Sequence, residues 1–101
     1  MITLKVKMLR SLKEKSTGII GVKDVFPVYF TTRWGIHTFG VLSPIDVLIL
    51  DDNNRVVKLA QRLLPNHIFM WSPKYKHVVE LPTEEISEKR IALGDLIQLL
   101  F

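Results

Sequence analysis

Ile2, Leu4, Val6 and Met8 alternate with Thr3, Lys5 and Lys7. A period of two predicts a strand with one face buried and the other in water. Residues 10–18 turn polar and basic and end in Ser16-Thr17-Gly18, which predicts a loop. Residues 25–31 predict a second strand, and Pro27 places it at an edge or a bulge, because proline cannot donate to a ladder. Arg33-Trp34-Gly35 predicts a turn, with Gly35 supplying the permissive backbone. Residues 36–42 predict a third strand, stopped by Ser43-Pro44.

Residues 45–50 are the most apolar strand. Both faces are apolar after Asp46, so this strand belongs in the middle of a sheet. Asp51-Asp52-Asn53-Asn54 reads as a hairpin turn, and residues 55–63 return as a strand whose length leaves a helix open. Leu64-Pro65-Asn66 breaks it. Residues 68–71 and 77–81 predict two more strands, separated by a turn at Ser72-Pro73. Pro82-Thr83-Glu84-Glu85 reads as a helix start, with Thr83 as the cap and the glutamates where the helix dipole favours negative charge. Lys89 and Arg90 fall at its other end. Gly94-Asp95 turns into a final strand over residues 96–101. Short strands with turn signals roughly every 8–12 residues predict a mainly β, β-rich α+β fold. The expected form is a strongly curved, mostly antiparallel, barrel-like sheet with one short C-terminal helix.

Four blocks resemble the family known as domain of unknown function 192. The first is Gly35-Ile36-His37-Thr38-Phe39 followed by Pro44-Ile45-Asp46-Val47-Leu48-Ile49-Leu50-Asp51. The second is the turn and return strand Asn53-Asn54-Arg55-Val56-Val57. Val78-Val79-Glu80-Leu81-Pro82 and Ala92-Leu93-Gly94-Asp95-Leu96-Ile97 complete the set. They occur in order over residues 25–101, and their joint order is more specific than any one block. Two departures stand out. Gly40-Val41-Leu42-Ser43 replaces the methionine and basic or aromatic residue common before the proline, and Thr83-Glu84 replaces the Ala-Gly that commonly follows Leu-Pro. The resemblance implies one domain over residues 1–101, a fold and a cleft, and no established activity.

Composition narrows the chemistry. The chain has 101 residues, 48% of them hydrophobic, enough for one core in one domain. It has no cysteine, which removes disulfides, thiolate nucleophiles and thiolate metal sites. No apolar run spans a bilayer, and the N-terminus has no continuous apolar stretch like that of a signal peptide. These features predict a cytoplasmic protein without a membrane partner. The net charge of +4 is uneven. Up to Lys23 only Glu14 is acidic, against Lys5, Lys7, Arg10, Lys13, Lys15 and Lys23. Such an end suits an anionic partner, or is a lysine-rich edge that discourages strand pairing between molecules.

Asp46 is the most informative residue. A carboxylate opening an apolar central strand needs a partner. The structural candidates are the backbone of the Ser43-Pro44 turn and Arg33. The functional alternative is a ligand contact beside His37 and Thr38 on an adjacent strand. Glu80 sits mid-strand, either facing water or meeting Asp46 and His37 in one cleft. The expected ligand cleft is therefore Trp34, His37, Thr38, Phe39, Asp46 and Glu80, with Trp34 and Phe39 as its apolar rim. A small acid–base hydrolase or lyase would use Asp46, Glu80 and His37 from that set.

An alternative is weak nucleic-acid binding. Lys5 and Lys7 would meet phosphates together with Lys74 and Lys76, and Trp71 and Tyr75 would stack bases. The ordinary reading of the same stretch is that Phe69 and Trp71 fill the core while the lysines face water. His37, His67 and His77 lack metal-motif spacing, and no Gly-rich cradle or nucleophile elbow is present, so no metal, cofactor or covalent catalysis is expected. The reading that emerges is a non-enzymatic ligand-binding or protein-interaction module. Leu99-Leu100-Phe101 fits a monomer that finishes its core there or a homodimer that pairs across it.

Overall fold

Ile45–Leu50, the strand expected at the centre, organises the fold. All six of its residues are buried, Asp46 included. A strand apolar on both faces needs a layer on each side. The computed structural model, which describes residues 1–9 and 26–101, supplies both. In chain order the elements are β1 (Ile2–Lys5), β2 (Lys7–Met8), β3 (Val28–Thr31), β4 (Gly35–His37), β5 (Ile45–Leu50), β6 (Val56–Leu63), β7 (Ile68–Met70), β8 (His77–Pro82), α1 (Glu85–Glu88) and β9 (Ile97–Leu100).

The main sheet runs β2-β3-β8-β5-β6. Only the β2–β3 pair in it is parallel. Two further pairs flank it, the parallel β1–β9 and the antiparallel β4–β7. Alternate residues of β5 and β8 feed two cores. Leu48, Leu50, Val79 and Leu81 pack with Leu4, Ile86 and Ile97 on one side. Ile45, Val47, Ile49 and Val78 pack with Val28, Phe30 and Trp71 on the other, where Ile36 and Phe69 of the β4–β7 ribbon close over them.

The fold is mainly β with a single short helix among the described residues, as expected, but the strands do not close into a barrel. The main sheet ends at β2 and β6, and beyond β6 a single antiparallel bridge joins Arg55 to Leu96. The reason lies in β5: a rolled sheet would leave its outer apolar face in water, whereas covering layers bury both. The outer residues of β6, including Lys58, Gln61 and Arg62, are exposed and protect that edge.

Several local expectations change. The strand expected over residues 36–42 ends at His37, because Thr38 leaves the ladder to bond the 64–67 turn and Gly40 takes a left-handed φ of 85°. The left-handed residue of the Arg33-Trp34-Gly35 turn is Trp34, at φ 81°, not the glycine. Gly35 is required for closeness instead: a Cβ there would lie 2.7 Å from the Phe69 carbonyl oxygen. Pro27 precedes β3 and accepts a bond from the Lys7 N–H, so β3 lies inside the sheet, with β2 on its outer side. Thr83 does not cap the helix. The capping position is Glu84, in a left-handed conformation without a side-chain cap bond, and the Thr83 hydroxyl is buried without a partner. Lys89 and Arg90 follow the four-residue helix, and Lys89 pairs with Glu85 at 3.5 Å. The loop expected over residues 10–18, and with it Arg10, Lys13, Lys15 and Lys23, lies outside the described residues.

Candidate functional site

Asp46 and Glu80 occupy neighbouring strands, yet they do not meet. In the β5–β8 register Asp46 pairs with Leu81, and Val47 pairs with Glu80. Side chains alternate faces along a strand, so one step of register separates the two carboxylates by the thickness of the sheet.

On its side Asp46 is fully buried and fully used. Its Oδ1 accepts the Arg62 N–H at 3.0 Å, and its Oδ2 accepts the Ile86 N–H at 2.9 Å. Arg62 sits where the β5–β6 register shifts, at a left-handed φ of 54°. Its N–H, turned from the ladder by this bulge, finds the carboxylate instead. Ile86 is the second residue of the helix, whose capping residue is left-handed Glu84. The Arg62 side chain then reaches Glu84 at 2.8 Å and ties the same two segments together at the surface. Asp46 thus joins three elements through backbone donors. Neither the Ser43-Pro44 backbone nor Arg33 is its partner. Arg33 donates to the Pro73 and Lys74 carbonyls.

Glu80 has a different environment. It lies between Val28 on β3 and Val47 on β5, on the side of the second core. It is 6% exposed, and among the described residues its carboxyl has no hydrogen bond or ion pair. Burial alone pushes its carboxyl up to about 7.

The remaining cleft residues divide as well. Thr38 is buried, donates its hydroxyl to the Leu64 carbonyl at 2.7 Å and accepts the His67 N–H at 2.8 Å. It is a staple for the 64–67 turn. His37 is exposed, stacks on Phe39 at 5.2 Å between ring centroids and accepts the Phe39 N–H through Nδ1. β4 pairs with β7, not β5, so neither His37 nor Thr38 stands beside Asp46 on an adjacent strand. The acid–base trio Asp46, Glu80 and His37 therefore has no common cleft.

What the structure does gather is an apolar surface on the β4–β7 ribbon. Ile36 and Phe69 point into the core, so their neighbours His37, Ile68 and Met70 point out. Phe39 extends that face, and Trp34 stands at the ribbon's start. Trp34, Phe39, Ile68 and Met70 are each between 48% and 64% exposed. Ile68 and Met70 were not singled out as site residues from sequence. The alternation in Ile68-Phe69-Met70 carried no sign of which face was covered.

The proposed nucleic-acid contacts fare unevenly. Lys5, Lys7 and Lys74 are exposed, with Lys74 over the Tyr75 ring at 5.7 Å. Lys76 is half-buried, as is Tyr75, which packs against the second core. Trp71 is a core residue whose indole N–H donates to the Tyr75 carbonyl at 2.9 Å, so it offers no open ring. No group of three or more potential metal ligands occurs among the described residues, nor does a helix long and apolar enough to cross a membrane.

One polar chain went unnoticed in sequence. His77 Nδ1 lies 2.7 Å from the Tyr29 hydroxyl, and Nε2 lies 2.8 Å from Asp52 Oδ1. With Nε2 donating to Asp52, Nδ1 accepts from Tyr29. The His77 bond holds Asp52 below the usual carboxylate range, while burial and then the Asp52 charge raise Tyr29. Tyr29 therefore keeps its proton and acts as a donor. His77 lies 48 residues from Tyr29 and 25 from Asp52, so no local spacing announces the chain.

No protein-family model matches the chain, and no curated protein does. Two solved structures resemble it. One is a protein of unknown function from Novosphingobium aromaticivorans DSM 12444, with 15% identity, a TM-score of 0.79, and coverage of 89% of this chain and 71% of that one. The other is a putative transcription regulator from Sinorhizobium meliloti 1021, with 14% identity, a TM-score of 0.80, and coverage of 89% and 77%. At these identities the likeness is one of fold.

Proposed function

We propose that this chain is a non-enzymatic protein-interaction module whose contact surface is the outer face of the β4–β7 ribbon. The observation that carries the reading is the cluster His37, Phe39, Ile68 and Met70, with Trp34 at its end, left half-exposed or more on one ribbon. Contiguous exposed apolar side chains mark contact sites, and aromatic residues and methionine are favoured in interface cores. Side chains this open do not enclose a small molecule. They suit a partner that brings its own apolar surface. We also propose membership of the domain of unknown function 192 family. In its support, the four ordered blocks fall on β4 and β5, the turn into β6, β8, and the approach to β9. Replacing residues 44–51 with the matching block of a family member should leave a folded protein, and an unfolded chimera would count against it.

The surface is tested by panning displayed short peptides against the folded protein and mapping the winners by amide shifts. Apolar and aromatic peptides should shift Trp34, His37, Phe39, Ile68 and Met70. The double variant Ile68→Lys, Met70→Lys should lose about tenfold or more in affinity while keeping its fold. Peptides that shift another face, or bind the variant equally, would remove the ribbon from the proposal. A mixed oligonucleotide pool supplies the contrast. Shifts at Lys5, Lys7 and Lys74 that fade with salt would favour nucleic acid instead, the function printed for the Sinorhizobium meliloti protein being transcription regulation.

A further inference from the structure

Acidic and basic groups are unevenly spread about the main sheet. Glu84, Glu85 and Glu88 cluster at α1, whose Ile86 packs into the first core. The β4–β7 ribbon covers the second core, on the other side. Residues 26–45 and 53–79, which build the ribbon and its surroundings, contain no aspartate or glutamate, against Arg33, Arg55, Lys58, Arg62, Lys74 and Lys76. Three of these cations border the exposed apolar face. Lys58 donates its ammonium to the Met70 carbonyl and stands 5.0 Å from the Phe69 ring centroid. Arg33 precedes Trp34, and its guanidinium donates to the Pro73 and Lys74 carbonyls, which brings Lys74 to the same end. All three are exposed, and among the described residues none has a carboxylate partner. Asp52 is near enough to Arg33 for their charges to interact, but its carboxylate is bonded to His77. At the ribbon's other end, the exposed Leu42 and Leu64 lie in the two loops that Thr38 ties together.

Building on the ribbon's proposed role as a contact surface, we infer that its face docks an acidic amphipathic segment of a partner protein, an apolar stripe flanked by aspartate or glutamate. The stripe covers Trp34, Phe39, Ile68 and Met70. The flanking carboxylates meet Arg33, Lys58 and Lys74 at the rim, where charge fixes register and rejects wrong partners. Other occupants fit less well. A second copy joined face to face would set these cations against their own copies. Residues 10–25 of this chain carry four cations against two carboxylates and so repeat the same sign. A nucleic acid would meet the cations, but the ribbon's own outward side chains, Ile68 and Met70, offer no ring on which a base could stack. An anionic lipid surface presents a diffuse field. Arg33 and Lys58 are held by backbone carbonyls and suit carboxylates at fixed places.

The test uses three synthetic peptides on the whole chain. Each carries the same leucine and phenylalanine stripe, flanked by glutamate, glutamine or lysine. Amide shifts at Trp34, Ile68 and Met70 report binding at the ribbon. The glutamate peptide should bind roughly tenfold tighter than the glutamine peptide, the sum of a few exposed charge pairs, and the lysine peptide more weakly still. Added salt should erase the difference. Arg33→Gln combined with Lys58→Gln should bring the glutamate peptide most of the way down to the glutamine peptide. The affinity of the glutamine peptide should not change, which also shows that the ribbon remains folded. Equal affinity of the glutamate and glutamine peptides for the wild-type chain overturns the acidic partner and leaves the contact surface standing. If none of the three shifts the ribbon, both fall. Phosphatidylserine vesicles or a mixed oligonucleotide pool that shift the ribbon amides where the glutamate peptide does not would overturn the acidic partner and assign the face to lipid or nucleic acid. The wild-type comparisons do not require the variant to fold.

Discussion

Asp46 and Glu80 stand one register step apart on neighbouring strands, and both are buried. Asp46 faces the side where the β6 bulge and the start of α1 present two backbone N–H groups that need an acceptor, and it takes both. Glu80 faces the side where the neighbouring strands present valines, and it takes none. The charge on Asp46 therefore completes the architecture. The charge on Glu80 is opposed by its surroundings, which hold the group protonated up to near neutrality. Burial alone says little about what a carboxylate does. The donors supplied by the facing element decide it.

The contrast breaks first at Asp46. Asp46→Ala should cost roughly 3 kcal/mol or more, because it strands two buried N–H groups at once. Asp46→Asn should cost about half of that, since the amide keeps one acceptor. Urea midpoints measure both, and a loss under about 1 kcal/mol for the alanine variant would mean that the two donors find water.

Glu80 should give a pH signature of the opposite sign to that of acid unfolding. Folding raises its pKa from 4.5 to about 7, so the folded chain binds more protons across that interval. Stability from this group is full below about pH 4.5 and falls as pH rises through 7, by roughly 3 kcal/mol in all. Glu80→Gln should flatten that slope, leaving the variant near wild type at pH 5 and more stable at pH 8. The difference between variant and wild type across this range is the quantity to measure. An unchanged slope would put a partner beside Glu80. Smallest is the effect at Thr83, whose hydroxyl is buried and unpaired. Thr83→Val should stabilise the fold slightly, by up to about 1 kcal/mol, seen as a small rise in the thermal midpoint. A clear loss there would reveal a hidden hydrogen bond.

Much of the strand order along the chain is legible from pattern. β5 announces itself because six buried positions in a row need two apolar faces, and the Asp51–Asn54 turn is written in residues that tolerate left-handed backbone, as Asn54 does at φ 62°. What pattern cannot carry is long-range pairing. The donors to Asp46 are backbone groups 16 and 40 residues away, and a backbone N–H has no letter in a sequence. The same holds at Trp34, where a bulky residue takes the strained φ and leaves Gly35 to solve a contact with Phe69. For Glu80 the sequence shows a polar residue in an apolar strand, which fits a solvated face as well as a buried one. Only the register against Val28 and Val47 distinguishes them.

The pairing of β1 with β9 has a mechanical meaning. The two strands run parallel, with Ile2 beside Ile97 and Lys5 beside Leu100. Tension entering before β1 and leaving after β9 would drag the strands past each other lengthwise. Every bond of that ladder would be loaded at once, rather than opened one by one like a zip. Beyond it, the Val6 N–H still holds the Leu100 carbonyl, and β2 is anchored on β3. A small domain of this build, pulled by its ends, should resist as a clamp, its rupture force set by the barrier to unfolding rather than by its equilibrium stability.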